Sequence, residues 1–311
     1  MPLAQTRTET DAVQASVLRT LAYFDIFRHP VTVDELACCS DRTLERERLL
    51  ATLDAMRTEG LVQRHEGHWS LRDASKAVLG RREDEERARQ RMPRAEAMAR
   101  RIAAFPFVRA VFVSGSLSKG RLADDGDIDF FIITAPGRLW LARTLLVLYK
   151  KVFLLNSRRD FCVNYFLDTE HLAVEDRNRF TAMEVATLLP MYGNGTTEAF
   201  FARNAWAFEQ LPGADPRPSL EVAEGDTPRK RRWERRLSGA LGETLDGWCM
   251  RLTWRYWQIK FPHMDRGSFE VALRTRSYVS KHHPRNFQQR VLDALRGRLC
   301  ELERRVGLPL Q

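Results

Sequence analysis

Two carboxylates separated by a single residue are the clearest chemical signal in this sequence. Asp127 and Asp129 begin the apolar run of residues 127–133, which is typical of a buried strand. Side chains two positions apart on a strand share one face, and their Cα atoms lie about 6.5–7 Å apart. Carboxylates at that separation can both reach one Mg²⁺ ion, which prefers oxygen ligands. The pair therefore predicts a magnesium site.

A glycine-containing turn precedes the two acids by about a dozen residues. Residues 111–113 are strong strand formers, and Gly115-Ser116 then allows a sharp turn into a short helix that ends at Gly120. The backbone N–H groups at the start of such a helix suit phosphate oxygens. We therefore expect phosphate-binding donors and metal-binding acids to face one pocket.

Two simpler explanations of these residues have to be weighed. An Asp-x-Asp sequence on its own is common in solvated turns. Gly115 and Gly120 also have the spacing of the first glycines in a P-loop, but Arg121-Leu122 stands where that motif needs Lys followed by Ser or Thr. The P-loop alternative is therefore excluded, and the functional hypothesis depends on the whole strand, turn and strand pattern.

The complete pattern resembles the signature of the DNA polymerase β-like nucleotidyltransferase superfamily, most closely its minimal bacterial and archaeal domains. The matching residues are Gly115-Ser116, Gly120, Asp127 and Asp129, a close match over about twenty residues. The resemblance implies an α/β (α+β) fold with a mixed sheet. It also implies transfer of a nucleoside monophosphate from an NTP, with Mg²⁺ or Mn²⁺, to an acceptor. That acceptor is a small molecule, a protein or an RNA end.

The resemblance also implies a role for each motif residue. Asp127 and Asp129 would hold the metal, while a group of four residues would contact the triphosphate. That group is Gly115, Ser116, Lys119 and Gly120. Lys119 is equally compatible with a solvated surface lysine. Arg158 and Arg159 precede the next strand and are compatible with either a triphosphate contact or a solvated loop.

The position of the superfamily's third carboxylate is filled differently. It normally lies in the middle of the strand that follows the next long helix, and Asn164 occupies that place within the predicted strand of residues 161–167. An amide can bind metal through its oxygen but cannot act as a base near neutral pH. Three alternatives follow: the acceptor supplies its own base, Asp160 or Asp168 moves in, or transfer is slow or absent.

Composition narrows the class of protein. The length of 311 residues suits about two domains, and no signal peptide is expected at the N-terminus. Five cysteines without a Cys-x-x-Cys spacing indicate reduced thiols and a cytoplasmic protein. The most apolar run, residues 139–155, is interrupted by charges and too short to span a bilayer, so we expect no membrane among the partners.

The chain order predicts several modules around a central one. The predicted modules are a winged helix-turn-helix at 12–74, a charged linker helix at 75–104 interrupted at Pro93, the nucleotidyltransferase core at 105–211, a linker at 212–228 and a basic helical domain at 229–311. The last segment holds 19 Lys and Arg against eight Asp and Glu. This charge suits an anionic acceptor or nucleic acid, or simply a solvated surface.

The N-terminal module suggests a second class of function. Arg42, Arg46 and Arg48 would lie on its recognition helix, but Glu45 and Glu47 interleave with them and reduce the local potential. Weak nucleic-acid binding at most is expected. The chain is therefore also compatible with a DNA-binding or nucleotide-sensing regulator, or with an inactive scaffold.

A long amphipathic helix is predicted within the basic C-terminal segment. Leu241, Leu245, Trp248, Leu252 and Tyr256 recur on one face with helical spacing. Basic and aromatic residues interleave beside this face. The mixture is compatible with stacking on bases, but packing against the rest of the protein is the commoner role of such a face.

Overall fold

A mixed six-stranded sheet lies at the centre of the molecule. The computed structural model describes residues 2–157, 159–193, 195–223 and 227–310, so Arg158 lies outside the described residues. The strands are β1 (Gln63–His65), β2 (His68–Ser70), β3 (Val108–Ser114), β4 (Asp129–Thr134), β5 (Cys162–Asp168), β6 (Leu189–Tyr192), β7 (Thr275–Arg276) and β8 (Val279–Lys281). Together with the helices they confirm an α/β architecture with a mixed sheet.

Helices cover the sheet and form most of both ends of the chain. In chain order they are α1 (Pro2–Asp25), α2 (Val33–Cys39), α3 (Arg46–Thr58), α4 (Ser75–Ala103), α5 (Gly115–Ser118), α6 (Leu139–Phe153), α7 (Arg179–Thr187), α8 (Thr196–Arg203), α9 (Trp206–Gln210), α10 (Pro228–Arg236), α11 (Ala240–Lys260), α12 (Arg266–Ala272) and α13 (Phe287–Val306).

The strand order of the central sheet is β6-β3-β4-β5-β8-β7. Among the strand pairs of the described residues, only β4–β5 is parallel, and α6 makes the crossover between these two strands. In the register, Ser114 lies opposite Asp129 and Asp129 lies opposite Cys162. The start of β4 therefore lies between the end of β3 and the start of β5.

Successive side chains of β3 and β4 point to opposite faces of the sheet, so the hydrophobic core has one part on each face. Phe112 and Phe131 join a cluster that continues into α1, α7 and α13, whereas Val113 and Phe130 join a second cluster with α4 and α6. The N-terminal helices therefore share a hydrophobic core with one face of the central sheet.

The N-terminal segment contains the three helices and the hairpin that its sequence predicts. Thr32 and Glu35, which have the spacing of a capping box in the sequence, form one at the start of α2. Glu66 and Gly67, at the hairpin turn, both have positive φ, as a tight β-turn between two strands requires.

Three predictions of local structure are wrong. Pro93 does not interrupt α4, because Ala95, Met98 and Ile102 beyond it are fully buried and hold the helix in place. The sequence predicts a glycine-rich turn at residues 191–195, but residues 191 and 192 belong to strand β6, which also contains Pro190, a residue tolerated there because β6 is an edge strand. The sequence predicts a basic helical domain at 229–311 with a polar break that begins at Ser280, but Ser280 lies in strand β8, which pairs with β5, so this segment is not purely helical.

The predicted packing role of the apolar face of α11 is also wrong. Leu241, Trp248 and Leu252 are more than half exposed, because the helix contacts α6 through its opposite side.

None of the helices in the described ranges is long and apolar enough to cross a bilayer.

Candidate active site at the start of β4

The glycine turn and one of the two acids meet directly. Gly115 follows β3 with a φ of +70°, and a Cβ atom added to it would lie only 2.6 Å from Oδ2 of Asp129. No side chain fits in that space unless Asp129 moves. The glycine therefore serves two purposes at once: it allows the left-handed turn and it lets the Asp129 carboxylate approach the backbone.

Asp129 lies in an environment that opposes its negative charge. The pKa of its carboxyl group is raised to about 7, chiefly by burial and also by the charges of Asp127 and Glu184, while the contact with Cys162 and the charge of Lys119 oppose the rise. A cation bound at this position would therefore relieve both desolvation and repulsion between the acids. This is the environment expected of a carboxylate that functions with a positively charged ligand.

Asn164, which the resemblance places where the superfamily has its third carboxylate, contacts Asp129. Its Nδ2 donates a hydrogen bond of 2.5 Å to Oδ1 of Asp129, and its Oδ1 accepts one of 3.0 Å from Sγ of Cys162. Burial raises the pKa of the Cys162 thiol to about 12, so the thiol stays protonated and able to donate. Nδ2 of Asn164 thus holds Asp129, while the bond from Cys162 to Oδ1 fixes the orientation of the amide.

Asp127 lies outside the strand to which the sequence assigns it. The predicted strand of residues 127–133 begins only at Asp129, and Ile128 is instead bonded through its backbone to Arg159 and Cys162. Asp127 is near enough for its charge to raise the pKa of Asp129. The prediction that the strand begins at Asp127 is therefore wrong, although the charges of the two acids do lie close together.

Lys119 and Glu184 form an ion pair beside the glycine turn. Nζ of Lys119 donates to Oε1 of Glu184 at 2.8 Å and to the carbonyl oxygen of Gly115 at 3.0 Å. Lys119 is therefore held against the turn rather than freely solvated. Glu184 was missed by the sequence reasoning; its only signal is that it is the single acid in the mostly apolar helix α7.

The two other acids considered as a third carboxylate are held elsewhere. Asp160 forms ion pairs with Arg91 and Arg94 of α4. Asp168 is buried and accepts hydrogen bonds from the backbone of Glu170 and His171. Neither side chain is available to turn toward Asp129, which removes one of the three alternatives for the missing base.

A cavity of about 710 Å³ opens beside these residues. Most of the residues that the sequence motif predicts for the site line this cavity, but Asp127 and Gly120 do not. The motif-derived lining consists of Gly115, Ser116, Lys119, Asp129 and Asn164. Seven aromatic residues from α1, the turn after it, β4, β5, α7 and the start of α13 also line the cavity: Tyr23, Phe24, Phe27, Phe131, Tyr165, Phe180 and Phe287.

Cations on the same wall supply positive charge. Arg121 directly follows the glycine turn, its backbone N–H bonding to the carbonyl oxygen of Ser116. Burial lowers the pKa of its guanidinium, and no hydrogen bond or ion pair to its side chain is found among the described residues. Arg217 and Lys281 line the cavity as well, but both donate hydrogen bonds to the protein.

The protein provides only part of a magnesium coordination shell. Within the described ranges no group of three or more His, Cys, Asp or Glu is arranged to hold a metal. Mg²⁺ is commonly held by one or two carboxylates together with substrate phosphates and water. The carboxylate of Asp129, with the charge of Asp127 close by, fits that arrangement, in which metal and triphosphate bind together.

The arginines proposed to contact DNA are partly neutralised. Arg46 pairs with Asp34, and Arg48 pairs with Glu9. These pairs add to the effect of the interleaved glutamates that the sequence shows.

Comparison of the chain with protein-family models, with curated proteins and with solved structures finds no match.

Proposed function

We propose that this chain is a nucleotidyltransferase that moves a nucleoside monophosphate from an NTP to an acceptor with the help of Mg²⁺ or Mn²⁺. The single observation that carries the proposal is the contact between the Gly115 turn and the Asp129 carboxylate at the wall of a cavity. The volume of this cavity, about 710 Å³, lies within the range of small-molecule sites, which is roughly 300–1,000 Å³. It therefore suits a nucleotide.

Different residues of the site would bind the triphosphate and the metal. Gly115 and Ser116 would approach the phosphate oxygens, and Arg121 would add a positive charge that the described residues leave unpaired. Asp129, with Asp127 close by, would hold the metal. Bound with the triphosphate, Mg²⁺ would offset the negative charge that develops on the leaving pyrophosphate.

Asn164 holds Asp129 in place but cannot remove a proton from the acceptor. Glu184 also lines the cavity and lies close enough to Asp129 to raise its pKa. We propose Glu184 as the general base, with Lys119 orienting it through their ion pair. The competing arrangement is a base supplied by the acceptor itself.

The nature of the cavity wall bears on the acceptor. Phe27, Phe180 and Phe287 pack together there, with ring centres about 6 Å apart. Such a wall favours a small organic acceptor with an apolar portion over a protein or an RNA end. The aromatic surface would remove water from the acceptor and hold it against the nucleotide.

Calorimetric titration of the full chain with each NTP in the presence of Mg²⁺ tests the proposal. We expect the double variant Asp127→Asn with Asp129→Asn to lose binding, whereas the matched pair Asp124→Asn with Asp125→Asn, in the exposed turn just before, keeps it. Unchanged binding in the folded Asp127 and Asp129 variant would contradict the proposal. Incubation with labelled NTPs in cell extract then identifies the acceptor.

One observation favours the alternative of a nucleotide-sensing regulator. Tyr23, Phe24 and Glu35 of the N-terminal helices line the same cavity as Asp129. A nucleotide bound there would contact the module that resembles a winged helix. A salt-dependent gel shift on duplex DNA, with and without NTP, discriminates the two: a nucleotide-dependent complex supports the regulator and its absence supports the enzyme.

A further inference from the structure

Helix α11 presents a continuous apolar stripe to solvent. Its exposed members are Leu241, Leu245, Trp248, Leu252, Tyr256 and Ile259, whose spacing keeps them on one side of the helix. Leu252 is 58% exposed and Ile259 is 80% exposed. Scattered apolar residues on a surface need no explanation, but an ordered stripe along 21 residues of helix indicates a binding surface.

The opposite side of α11 is firmly attached, so the outward direction of the stripe is well defined. Oδ1 of Asp246 accepts a 2.8 Å hydrogen bond from the backbone of Leu141, and the ring of Trp257 packs against that of Trp140. The first turn of α11 also packs closely against the residues that precede the helix, because a Cβ atom added to Gly242 would lie 1.9 Å from the carbonyl oxygen of Leu237. Rotating α11 to bury the stripe would break these contacts.

Positive charge is concentrated in the segment of the chain that carries the stripe. Residues 228–260 contain nine Lys and Arg and three Asp and Glu. Of the three acids, Asp246 is buried against α6 and Glu234 is paired with Arg109. Within the described residues, eight of the cations are exposed and form no ion pair: Arg229, Arg231, Arg232, Arg235, Arg236, Arg251, Arg255 and Lys260.

The aromatic residues of the stripe lie beneath some of these cations. The guanidinium of Arg251 lies 5.3 Å from the ring centre of Trp248, and the ammonium of Lys260 lies 5.5 Å from that of Tyr256. Trp and Tyr are the residues that favour the boundary between lipid tails and headgroups, since each has an apolar body and a polar tip. Cations beside them are placed to meet headgroup phosphates.

We infer that the surface formed by α10 and the exposed stripe of α11 binds the surface of an anionic bilayer. The helix would lie in the plane of the interface, with its apolar stripe among the acyl chains and its arginines at the headgroups. This inference is independent of the proposed catalytic site. It revises the expectation that no membrane is among the partners, because peripheral binding needs no spanning helix.

Two other occupants fit the surface less well. A second copy would bring the same eight cations into opposition, and like charges across an interface disfavour association. A nucleic acid would match the charge, but Leu241, Leu245, Leu252 and Ile259 offer no group to bind phosphate or to stack on bases. An anionic bilayer satisfies both the charge and the apolar stripe.

Co-sedimentation of the full chain with vesicles tests the inference. We expect binding to phosphatidylcholine vesicles that contain phosphatidylglycerol and little binding to phosphatidylcholine alone. Leu252→Glu should weaken binding roughly tenfold or more through lost apolar burial. Replacing Arg251 and Arg255 by Gln should weaken it by roughly fivefold for each arginine.

Leu79→Glu is the matched control, because Leu79 on α4 is also 58% exposed and lies outside this surface. It should bind vesicles like the unmodified chain. The inference is overturned if anionic vesicles do not bind at low salt, or if Leu79→Glu weakens binding as much as Leu252→Glu. It is also overturned if light scattering shows a dimer that Leu252→Glu dissociates, or if single-stranded DNA is bound more tightly than the vesicles.

Discussion

Gly115 and Asp129 are in contact in a way that leaves no space for a side chain on the glycine: an added Cβ atom would lie 2.6 Å from the carboxylate oxygen Oδ2. Gly120, five residues later, has nearly the same backbone conformation, with φ at +72°, but nothing within 4 Å of its missing Cβ. Substituting each glycine in turn therefore separates two effects on the free energy of unfolding: that of a side chain in the left-handed turn and that of displacing Asp129.

We expect Gly120→Ala to lower the free energy of unfolding by roughly 1–2 kcal/mol, because a left-handed conformation is unfavourable for any residue with a Cβ atom, and Gly115→Ala to lower it by more, because the new Cβ atom must also displace Asp129. Only Gly115→Ala should also weaken NTP binding in the presence of Mg²⁺, by about tenfold or more, since only it displaces Asp129. Denaturant unfolding and calorimetry measure the two effects. Equal loss of NTP binding in both variants would show that the contact with Asp129 is irrelevant.

Asn164→Asp places a second carboxylate in the position that now donates to Asp129. We expect this variant to be less stable than the unmodified chain in the presence of a chelator, by roughly 1–3 kcal/mol, because a hydrogen bond is replaced by repulsion. Mg²⁺ together with NTP should restore the stability. Asn164→Leu, which removes the bond without adding charge, is the control and should show no recovery with metal.

Glu184→Gln tests the proposed general base. Gln keeps an oxygen that can accept from Lys119, so Lys119 should stay in place. We expect the rate of transfer to fall by roughly 10²–10⁴, while the affinity for NTP changes by no more than about threefold. Asp160→Asn serves as the comparison, because that acid is held by arginines away from the cavity. Full activity in Glu184→Gln would leave the acceptor as the source of the base.

Stability should fall as the pH is lowered from about 6.5 toward 4, partly because of His29. The pKa of His29 is lowered to about 4, chiefly by burial and also by the charges of Arg121 and Arg81, while Glu35 opposes the shift. Nη1 of Arg81 donates to its Nε2, so the ring must accept there and is neutral. The unfolded chain, with a histidine pKa near 6.5, therefore binds more protons in this range.

His29→Gln should reduce this dependence, because the glutamine oxygen can still accept from Arg81 but does not titrate. The loss is at most about 1.4 kcal/mol per pH unit, which corresponds to one proton. Denaturant unfolding at a series of pH values provides the measurement. Burial also lowers the pKa values of His282 and His283, to about 3 and about 4, so part of the dependence should remain. An unchanged slope in His29→Gln would contradict the prediction.

Several features follow from the sequence because they depend on neighbours along the chain. The turn at Gly115 needs a positive φ, and the capping box at Thr32 and Glu35 closes within four residues. The alternation of β3 and β4 between two cores is equally local in origin. From such signals Asp129 and the glycine turn could be identified as candidates, whereas Asn164 was indicated only by the resemblance to a known superfamily.

Tertiary structure decided the relationships between distant segments. Glu184 enters the site only because α7 packs across the sheet, and the bond from Asn164 to Asp129 depends on the register of β4 against β5. Strands as short as β6 and β8 exist only where a longer strand offers its edge. Helix α11 has apolar residues on its outward side and, in Trp257, a large aromatic on its inner side. Which side is buried was therefore settled by the polar and aromatic contacts that Asp246 and Trp257 make with α6, and not by its hydrophobic pattern.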